Sequence, residues 1–229
     1  MKGLLTSLKH SLSALRAIVA ERPELLLFTG LLALANLPML FGSSFQSLAF
    51  RPDEVLRGEW WRLFTHPFVH VTWYHLLLDG AAFLSLYSTL AETRLSRRLG
   101  YVFAAGAGSL LLSWAAAPDP ANGLCGLSGI AHGLMAVSAV ELIIAHAPRS
   151  SERRLGWISL GLVIGKAAFE ALTSRMFLSF LDFGMLGTPV AVSHAGGIIG
   201  ALGAMLVLNH LHTPTPIKPI PVGREVTSV

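Results

Sequence analysis

Six long apolar runs, separated by more polar connections, dominate the hydrophobic pattern of the chain. They lie at residues 24–41, 71–91, 100–117, 127–147, 155–172 and 191–210. Each run is close to the roughly 20 apolar residues that a helix needs to cross a bilayer. Proline, which cannot continue a helix, stands at or near the run ends as Pro23, Pro118, Pro120, Pro148 and Pro189. The pattern predicts an all-α membrane protein with six transmembrane helices.

The two ends of the chain differ from this pattern. Before the first run, apolar residues recur every three or four positions, and basic residues lie off that stripe. This periodicity predicts an amphipathic helix over residues 1–22 that lies on the membrane surface. Residues 213–229 are rich in proline, which predicts a disordered tail. The six predicted spans form one domain over residues 23–212.

Composition supports the membrane class and narrows the partners. The 229 residues are 53% hydrophobic and 13% charged, whereas soluble domains usually carry about 25% charged residues. The net charge is +4, but Lys and Arg stand in short clusters between apolar runs, where such residues contact lipid headgroups and set topology. We therefore expect membrane lipid, and no nucleic acid, as a partner. The single cysteine, Cys125, excludes an intrachain disulfide.

The basic clusters also predict the orientation in the membrane. They lie before the first run, in the connections that follow the second and fourth runs, and in the tail. The connection after the third run has no Lys or Arg, and the one after the fifth has only Arg175. By the positive-inside rule, both termini face the cytoplasm. The connection 42–70 then lies outside, where its Trp60 and Trp61 favour the headgroup region.

Polar residues inside the runs are the candidates for chemistry, because such groups are costly in a membrane. In the predicted topology, the second, fourth and sixth spans all begin on the outer side. Five polar residues then lie in the outer half of the bilayer at similar depth: His75, Asp79, Ser128, His132 and His194. The topology thus predicts that side chains from three separate spans converge.

Small faces of the G-x-x-x-G type accompany two of these residues. One lies beside Ser128 in the fourth span and the other beside His194 in the sixth: Gly129 with Gly133, and Gly196 with Gly200. Such faces let helices approach closely. If the two spans pack through them, the hydroxyl and the imidazole come within reach as a nucleophile–base pair. Free N–H groups at the start of the fourth helix would stabilise an oxyanion.

Simpler interpretations of single residues stay open. A serine in a span often bonds its own backbone carbonyl one turn back, and a histidine at a helix end is often only interfacial. Among other classes, a metalloprotease lacks its H-E-x-x-H motif, and a transporter lacks an inverted-repeat signal. We expect no metal ion and no cofactor.

Several motifs stand in an order that resembles the rhomboid intramembrane serine proteases. Residues 59–66 (E-W-W-R-L-F-T-H) resemble the rhomboid first-loop motif, and residues 90–94 (L-A-E-T-R) resemble the end of the second helix. Gly126–Gly129 (G-L-S-G) is similar to the nucleophile motif G-x-S-G. His194–Gly197 (H-A-G-G) is similar to the H-x-x-G motif of the sixth helix. The resemblance implies a six-helix rhomboid-like bundle, with the serine of G-L-S-G as nucleophile and the histidine of H-A-G-G as general base.

The resemblance assigns further roles around Gly126 and Ser128, where an oxyanion would form. His70, His75 and Asp79 resemble the His, His and Asn of the second rhomboid helix, so His75 would be an oxyanion donor. Asp79 departs from that pattern, since an ionised carboxylate only accepts hydrogen bonds. It either orients His75 or, protonated in an apolar site, acts as a donor itself.

The run G-L-S-G-x-x-H-G resembles the rhombosortase branch of the family, as does K-x-x-x-E in the fifth span. Typical rhomboids have an aromatic residue where this chain has His132. His132 therefore either packs beneath His194, with Gly197 in support, or joins the proton path. Lys166 and Glu170 are either an ion pair or a polar gate that contacts the substrate tail.

The branch resemblance implies an enzyme of the bacterial inner membrane whose site opens to the outer side. It would cleave surface or secreted proteins that end in a Gly-Gly motif, one span and a basic tail, at the Gly-Gly-type signal, by a Ser128–His194 dyad. Two alternatives stay open. One is a general rhomboid protease with other single-span substrates, and the other is a non-catalytic rhomboid-like protein that binds membrane helices.

Overall fold

The computed structural model describes residues 13, 17–43, 46–116, 123–175, 177 and 192–210. α-Helices dominate this part of the chain, and its one extended pairing is an isolated bridge between Phe50 and Leu124. The helices are α1 Glu24–Asn36, α2 Pro52–Leu56, α3 Arg62–Thr65, α4 Trp73–Thr89, α5 Leu95–Ala116, α6 Ser128–Ala145, α7 Ser151–Thr173 and α8 Val192–His210. The all-α prediction is confirmed.

Five helices are long and apolar enough to cross a membrane: Glu24–Phe41, Leu95–Ala116, Ser128–Ala145, Ser151–Thr173 and Val192–His210. The first is α1 prolonged by the 3₁₀ turn Leu37–Phe41. The second predicted span, 71–91, forms the 17-residue α4. A helix of that length is about 25 Å long, whereas the hydrocarbon core is roughly 30 Å thick. The structure therefore supports five spans, and a sixth at α4 stays a prediction.

The two predicted terminal segments fall mostly outside the described residues. Residues 17–21 are helical and lead into α1. The remainder of the predicted surface helix 1–22, apart from Ser13 and Arg22, lies outside, and so does the whole tail 213–229. Both therefore stay predictions.

One helix begins earlier than predicted, and its additional first turn contains charged side chains. The third apolar run was expected to begin at residue 100, but α5 begins at Leu95 and includes Arg97 and Arg98. Both arginines are buried and paired: Arg97 Nη2 donates to the Leu208 carbonyl (2.7 Å), and Arg98 Nε donates to Glu24 Oε1 (2.9 Å). A hydropathy profile places arginines outside a span, because it does not take into account the hydrogen-bond and ion-pair partners that stabilise them.

Glycines set the position of α8 between two neighbours. Gly197 packs directly on the Gly129 backbone of α6, whereas Gly196 and Gly200 pack on the backbone of α5, at Gly108 and Ala104. The fourth and sixth spans therefore pack through one of the two predicted glycine pairs only: Gly129 and Gly133 meet the backbone of α8, whereas Gly196 and Gly200 meet α5. Successive residues of a helix point about 100° apart, so adjacent glycines serve different neighbours. The result is a tight α5–α8–α6 unit.

Candidate active site

Ser128 is the first residue of α6, and a short, well-anchored segment brings it there. Leu124 and Phe50 exchange both backbone hydrogen bonds at 2.9 Å, and the Gly126 N–H donates to the His66 carbonyl at 3.1 Å. Gly126 has φ +97°, which side chains strongly disfavour. The G-L-S-G run thus bends sharply into the helix and leaves Ser128 at its N-terminus.

The residues that anchor this segment are themselves buried. Arg62 of the E-W-W-R run is 5% exposed and donates to the Ala49 carbonyl at 2.7 Å. His66 lies next to it, with Nδ1 3.1 Å from the Arg62 carbonyl. Burial lowers the pKa of His66 to about 4, so this histidine stays neutral near pH 7. We infer that both side chains shape the loop rather than react.

Two polar side chains of α4 lie directly against the glycine that precedes the nucleophile. A Cβ atom at Gly126 would be 2.8 Å from Asp79 Oδ2 and 2.8 Å from His75 Nε2. Such distances are too short for non-bonded atoms. Position 126 therefore requires glycine for two reasons, the positive φ angle and the lack of space for a Cβ atom. The structure therefore brings His75, Asp79, Gly126 and Ser128 into one place.

His70 completes the polar cluster on this side. Asp79 Oδ2 is 3.2 Å from His75 Nε2 and 3.6 Å from His70 Nε2, and all three residues are buried. The His70 N–H donates to Asn36 Oδ1 at 2.8 Å, which ties the segment to α1. Burial lowers the pKa of His70. His70, His75 and Asp79 each have one possible metal-ligand atom here. These three atoms lie within 4.8 Å of one another, so a metal ion could also bind between them.

His194 lies near the start of α8. Its ring stacks on His132 with a centroid distance of 3.8 Å and an interplanar angle of 14°. His132 Nδ1 in turn lies 2.7 Å from the Ser128 carbonyl oxygen. His132 therefore packs against the His194 ring, and a part in the proton path stays a prediction. No hydrogen bond joins the Ser128 hydroxyl to His194 among the described residues, so His132 links the two.

Charged residues of α7 surround the far edge of the His194 ring. Its Nδ1 is 2.6 Å from Glu170 Oε2, and Lys166 Nζ is 2.9 Å from the same oxygen. Lys166 Nζ also lies 3.0 Å from His132 Nε2. Donor atoms of His132, Glu170 and His194 are close enough together for a cation, but the Lys166 ammonium already lies among them. Lys166 and Glu170 therefore form an ion pair that includes the histidine.

The sequence did not reveal that Glu170 contacts His194. From the sequence, Lys166 and Glu170 are only a polar pair four residues apart in the fifth span. That spacing puts both side chains on one face of the helix, but it does not say which neighbouring helix that face meets. Glu170 is only 1% exposed, which leaves its carboxylate little surface for a substrate.

The motif order, the serine at a helix start and the stacked histidines all agree with one known family. The rhomboid domain family matches residues 57–213. This chain belongs to the rhomboid family. Rhomboid proteins are in general intramembrane serine proteases, and the apolar helices of this rhomboid fit a multi-pass membrane protein. No curated protein matches the chain.

Cys125 is the remaining nucleophilic side chain near the site. Burial, and secondarily the Asp79 charge, raise the pKa of its thiol to about 11. Since the thiolate is the reactive form of cysteine, Cys125 is a poor nucleophile near neutral pH.

Proposed function

We propose that this rhomboid is an endopeptidase that uses a Ser128–His194 dyad. The observation that carries the proposal is the stack of His194 on His132, which is itself bonded to the Ser128 carbonyl. For catalysis, the Ser128 hydroxyl must come within hydrogen-bond distance of the His194 imidazole. His194 would take the hydroxyl proton as Oγ attacks the scissile carbonyl, and would then pass it to the leaving amine. Water would hydrolyse the acyl-enzyme by the reverse proton path.

The oxyanion would form where α6 begins. The first-turn N–H groups of α6 have no partner within their own helix, and the positive end of the helix dipole lies there. His75 Nε2 lies against the same loop at Gly126, and it would donate to the oxyanion in place of its contact with Asp79 Oδ2. Backbone and side-chain donors of this kind supply the main stabilisation in acyl transfer.

We further propose that the substrates are membrane-anchored proteins with a C-terminal Gly-Gly motif, one span and a basic tail. A helical substrate hides its carbonyls in internal hydrogen bonds, and glycine costs a helix about 1 kcal/mol relative to alanine. A Gly-Gly pair therefore exposes extended backbone at low cost. With both termini in the cytoplasm, as the basic clusters indicate, the site opens to the outer side of the bacterial inner membrane.

The dyad is tested with purified full-length protein and a fluorophosphonate probe. Ser128→Ala and His194→Ala should each lower cleavage of a tail-anchored substrate by at least about 1,000-fold, as losses in a serine–histidine unit do. Only Ser128→Ala should also remove the probe's attachment site. EDTA should leave the activity unchanged, because this chemistry needs no metal.

Two variants serve as matched controls. Ser113 is a buried serine of α5 that bonds the Ser109 carbonyl of its own helix at 2.7 Å. His146 bonds the Leu142 carbonyl at the opposite end of α6 from Ser128. Ser113→Ala and His146→Ala should keep near wild-type cleavage. Full cleavage by Ser128→Ala would exclude the serine mechanism, and a folded wild type that neither cleaves nor reacts with the probe would favour a non-catalytic helix-binding protein.

A further inference from the structure

Glu170 lies beside the proposed general base and is fixed there from several directions. Its Oε2 is 2.6 Å from His194 Nδ1 and 2.9 Å from Lys166 Nζ. Its Oε1 accepts from Lys166 Nζ at 2.8 Å and from the Phe177 N–H at 3.1 Å. The side chain is 1% exposed. Both carboxylate oxygens therefore have defined partners, and the one nearest the base is held in place.

The contact decides which nitrogen of His194 carries its proton. A carboxylate paired with an ammonium group is ionised and only accepts hydrogen bonds. At 2.6 Å from Glu170 Oε2, His194 Nδ1 is therefore the donor. In the neutral ring, Nε2 is then the nitrogen with the free lone pair. That is the form a base needs in order to take a proton from serine.

We propose that Glu170 is a positioning residue that makes the dyad a Ser128–His194–Glu170 triad, and that Lys166 tunes its charge. This role rests on the serine mechanism proposed above. Before attack, Glu170 keeps His194 in the reactive tautomer. When His194 Nε2 takes the Ser128 proton, the carboxylate stabilises the imidazolium. Lys166 offsets part of that charge, so the proton still passes to the leaving amine as the C–N bond breaks.

Removing the Glu170 carboxylate would remove a negative charge and would also change the hydrogen bonds of the His194 ring. Lys166 Nζ is 3.4 Å from His194 Nδ1. Without an ionised Glu170, the ammonium group would donate to Nδ1 itself and drive the proton to Nε2. The ring would then offer a donor, rather than a lone pair, to Ser128. In the serine-protease triad, the analogous carboxylate-to-amide change lowers kcat about 10⁴-fold for this reason.

Among residues 123–175 and 192–210, the titratable groups that contact His194 come from two helices packed against it. α6 contributes His132, and α7 contributes Lys166 and Glu170. α5 faces this end of α8 with Gly108 and Leu112, at Gly196. Within the described part of the chain, a shift in the pH profile after a change at Glu170 or Lys166 is therefore interpretable through these three side chains.

The experiment measures kcat and KM across the pH range with full-length protein and one peptide substrate. Glu170→Gln should lower kcat at least about 100-fold with little change in KM. Because the negative charge is lost, the acid limb of kcat/KM should move to lower pH. Lys166→Met leaves the carboxylate uncompensated and should move the same limb to higher pH. Glu170→Asp should recover part of kcat, with the acid limb close to that of the wild type.

Glu141→Gln is the matched control, since Glu141 is also a buried glutamate. It is 6% exposed and accepts from the Ala91 and Glu92 N–H groups, far from His194. It should lower stability without moving the acid limb. A Glu170→Gln enzyme with kcat within about threefold of the wild type and an unmoved limb would overturn the triad.

The remaining outcomes separate the triad from the serine mechanism itself. If Glu170→Gln does not fold, Lys166→Met decides, and an unmoved or downward limb there would overturn the proposal. If Ser128→Ala cleaves the same peptide at the wild-type rate, the dyad is wrong and the triad falls with it. If Ser128→Ala is inactive while Glu170→Gln behaves as the wild type, only the role of Glu170 is excluded.

Discussion

At the scale of single residues, the surroundings of Asp79 indicate the role of this carboxylate, which stands where the rhomboid pattern has asparagine. Its Oδ2 has two histidine nitrogens nearby, at 3.2 Å on His75 and 3.6 Å on His70. A carboxylate oxygen between two ring nitrogens suits an acceptor of N–H hydrogen bonds. We infer that Asp79 orients His75, which in turn faces the Gly126 loop.

Substitution at this pair distinguishes the two roles of Asp79. Asp79→Asn keeps an acceptor oxygen, so kcat should fall less than about 10-fold, with an unchanged pH range. His75→Ala removes a donor aimed at the oxyanion and should cost about 10²–10³ in kcat. The measurement is kcat against pH for each variant.

Two other results would change this interpretation. If Asp79→Asn extends the active range to higher pH, Asp79 is a protonated donor in the native enzyme. If Asp79→Asn is folded but inactive, the negative charge itself is required, and neither role is right.

At the scale of helices, the active site depends on how closely α8 approaches α6. A Cβ at Gly197 would overlap the Gly129 carbonyl group, one residue after Ser128. Close packing of this kind leaves no room for a methyl group, and overpacking typically costs about 1–3 kcal/mol. The distance between the Ser128 and His194 backbones is therefore set by two glycines.

A pair of identical substitutions in α8 tests this packing. Gly197→Ala should lower the thermal unfolding temperature in detergent and reduce cleavage, because α8 is displaced from α6. Gly203 lies in the same helix with nothing within 4 Å of an added Cβ. Gly203→Ala should be neutral or stabilising by up to about 1 kcal/mol, since alanine favours helices. Equal effects at both positions would show that helix propensity, and not close approach, governs the glycines.

The same helices show what the sequence could and could not predict. Apolar length was enough to find the five helices that are long and apolar enough to cross a membrane, and prolines were expected near their ends. The rotation of α8 about its own axis decides which glycine meets which neighbour. Gly196 and Gly197 are adjacent in the sequence, yet Gly196 contacts α5 and Gly197 contacts α6. The contact of Glu170 with His194 depends on the rotation of α7 in the same way. Spacing within one helix does not determine its rotation relative to another.

At the scale of the whole molecule, buried polar groups gather at two ends of an apolar core. One end has Ser128 and its surrounding histidines. The other has Arg98 with Glu24 and Tyr87, and the Glu141 carboxylate, which accepts from two backbone N–H groups. Glu141 and Ser128 are about 20 Å apart along α6, at 1.5 Å per residue. The candidate site around Ser128 therefore lies toward one face of the bundle.

The proposed substrate class is tested in cells that lack this protein. Proteins with a C-terminal Gly-Gly motif, one span and a basic tail should remain anchored in that strain. Re-expressed wild type should restore their release, and Ser128→Ala, at equal membrane level, should not. Changing Gly-Gly to Leu-Leu in one such protein should block its release from wild-type cells, because leucine keeps the scissile region helical. The released product should appear on the outer side, since the site is proposed to open there. Normal processing in the deletion strain would exclude the Gly-Gly substrate class and leave a rhomboid with other single-span substrates, while release into the cytoplasm would reverse the proposed orientation.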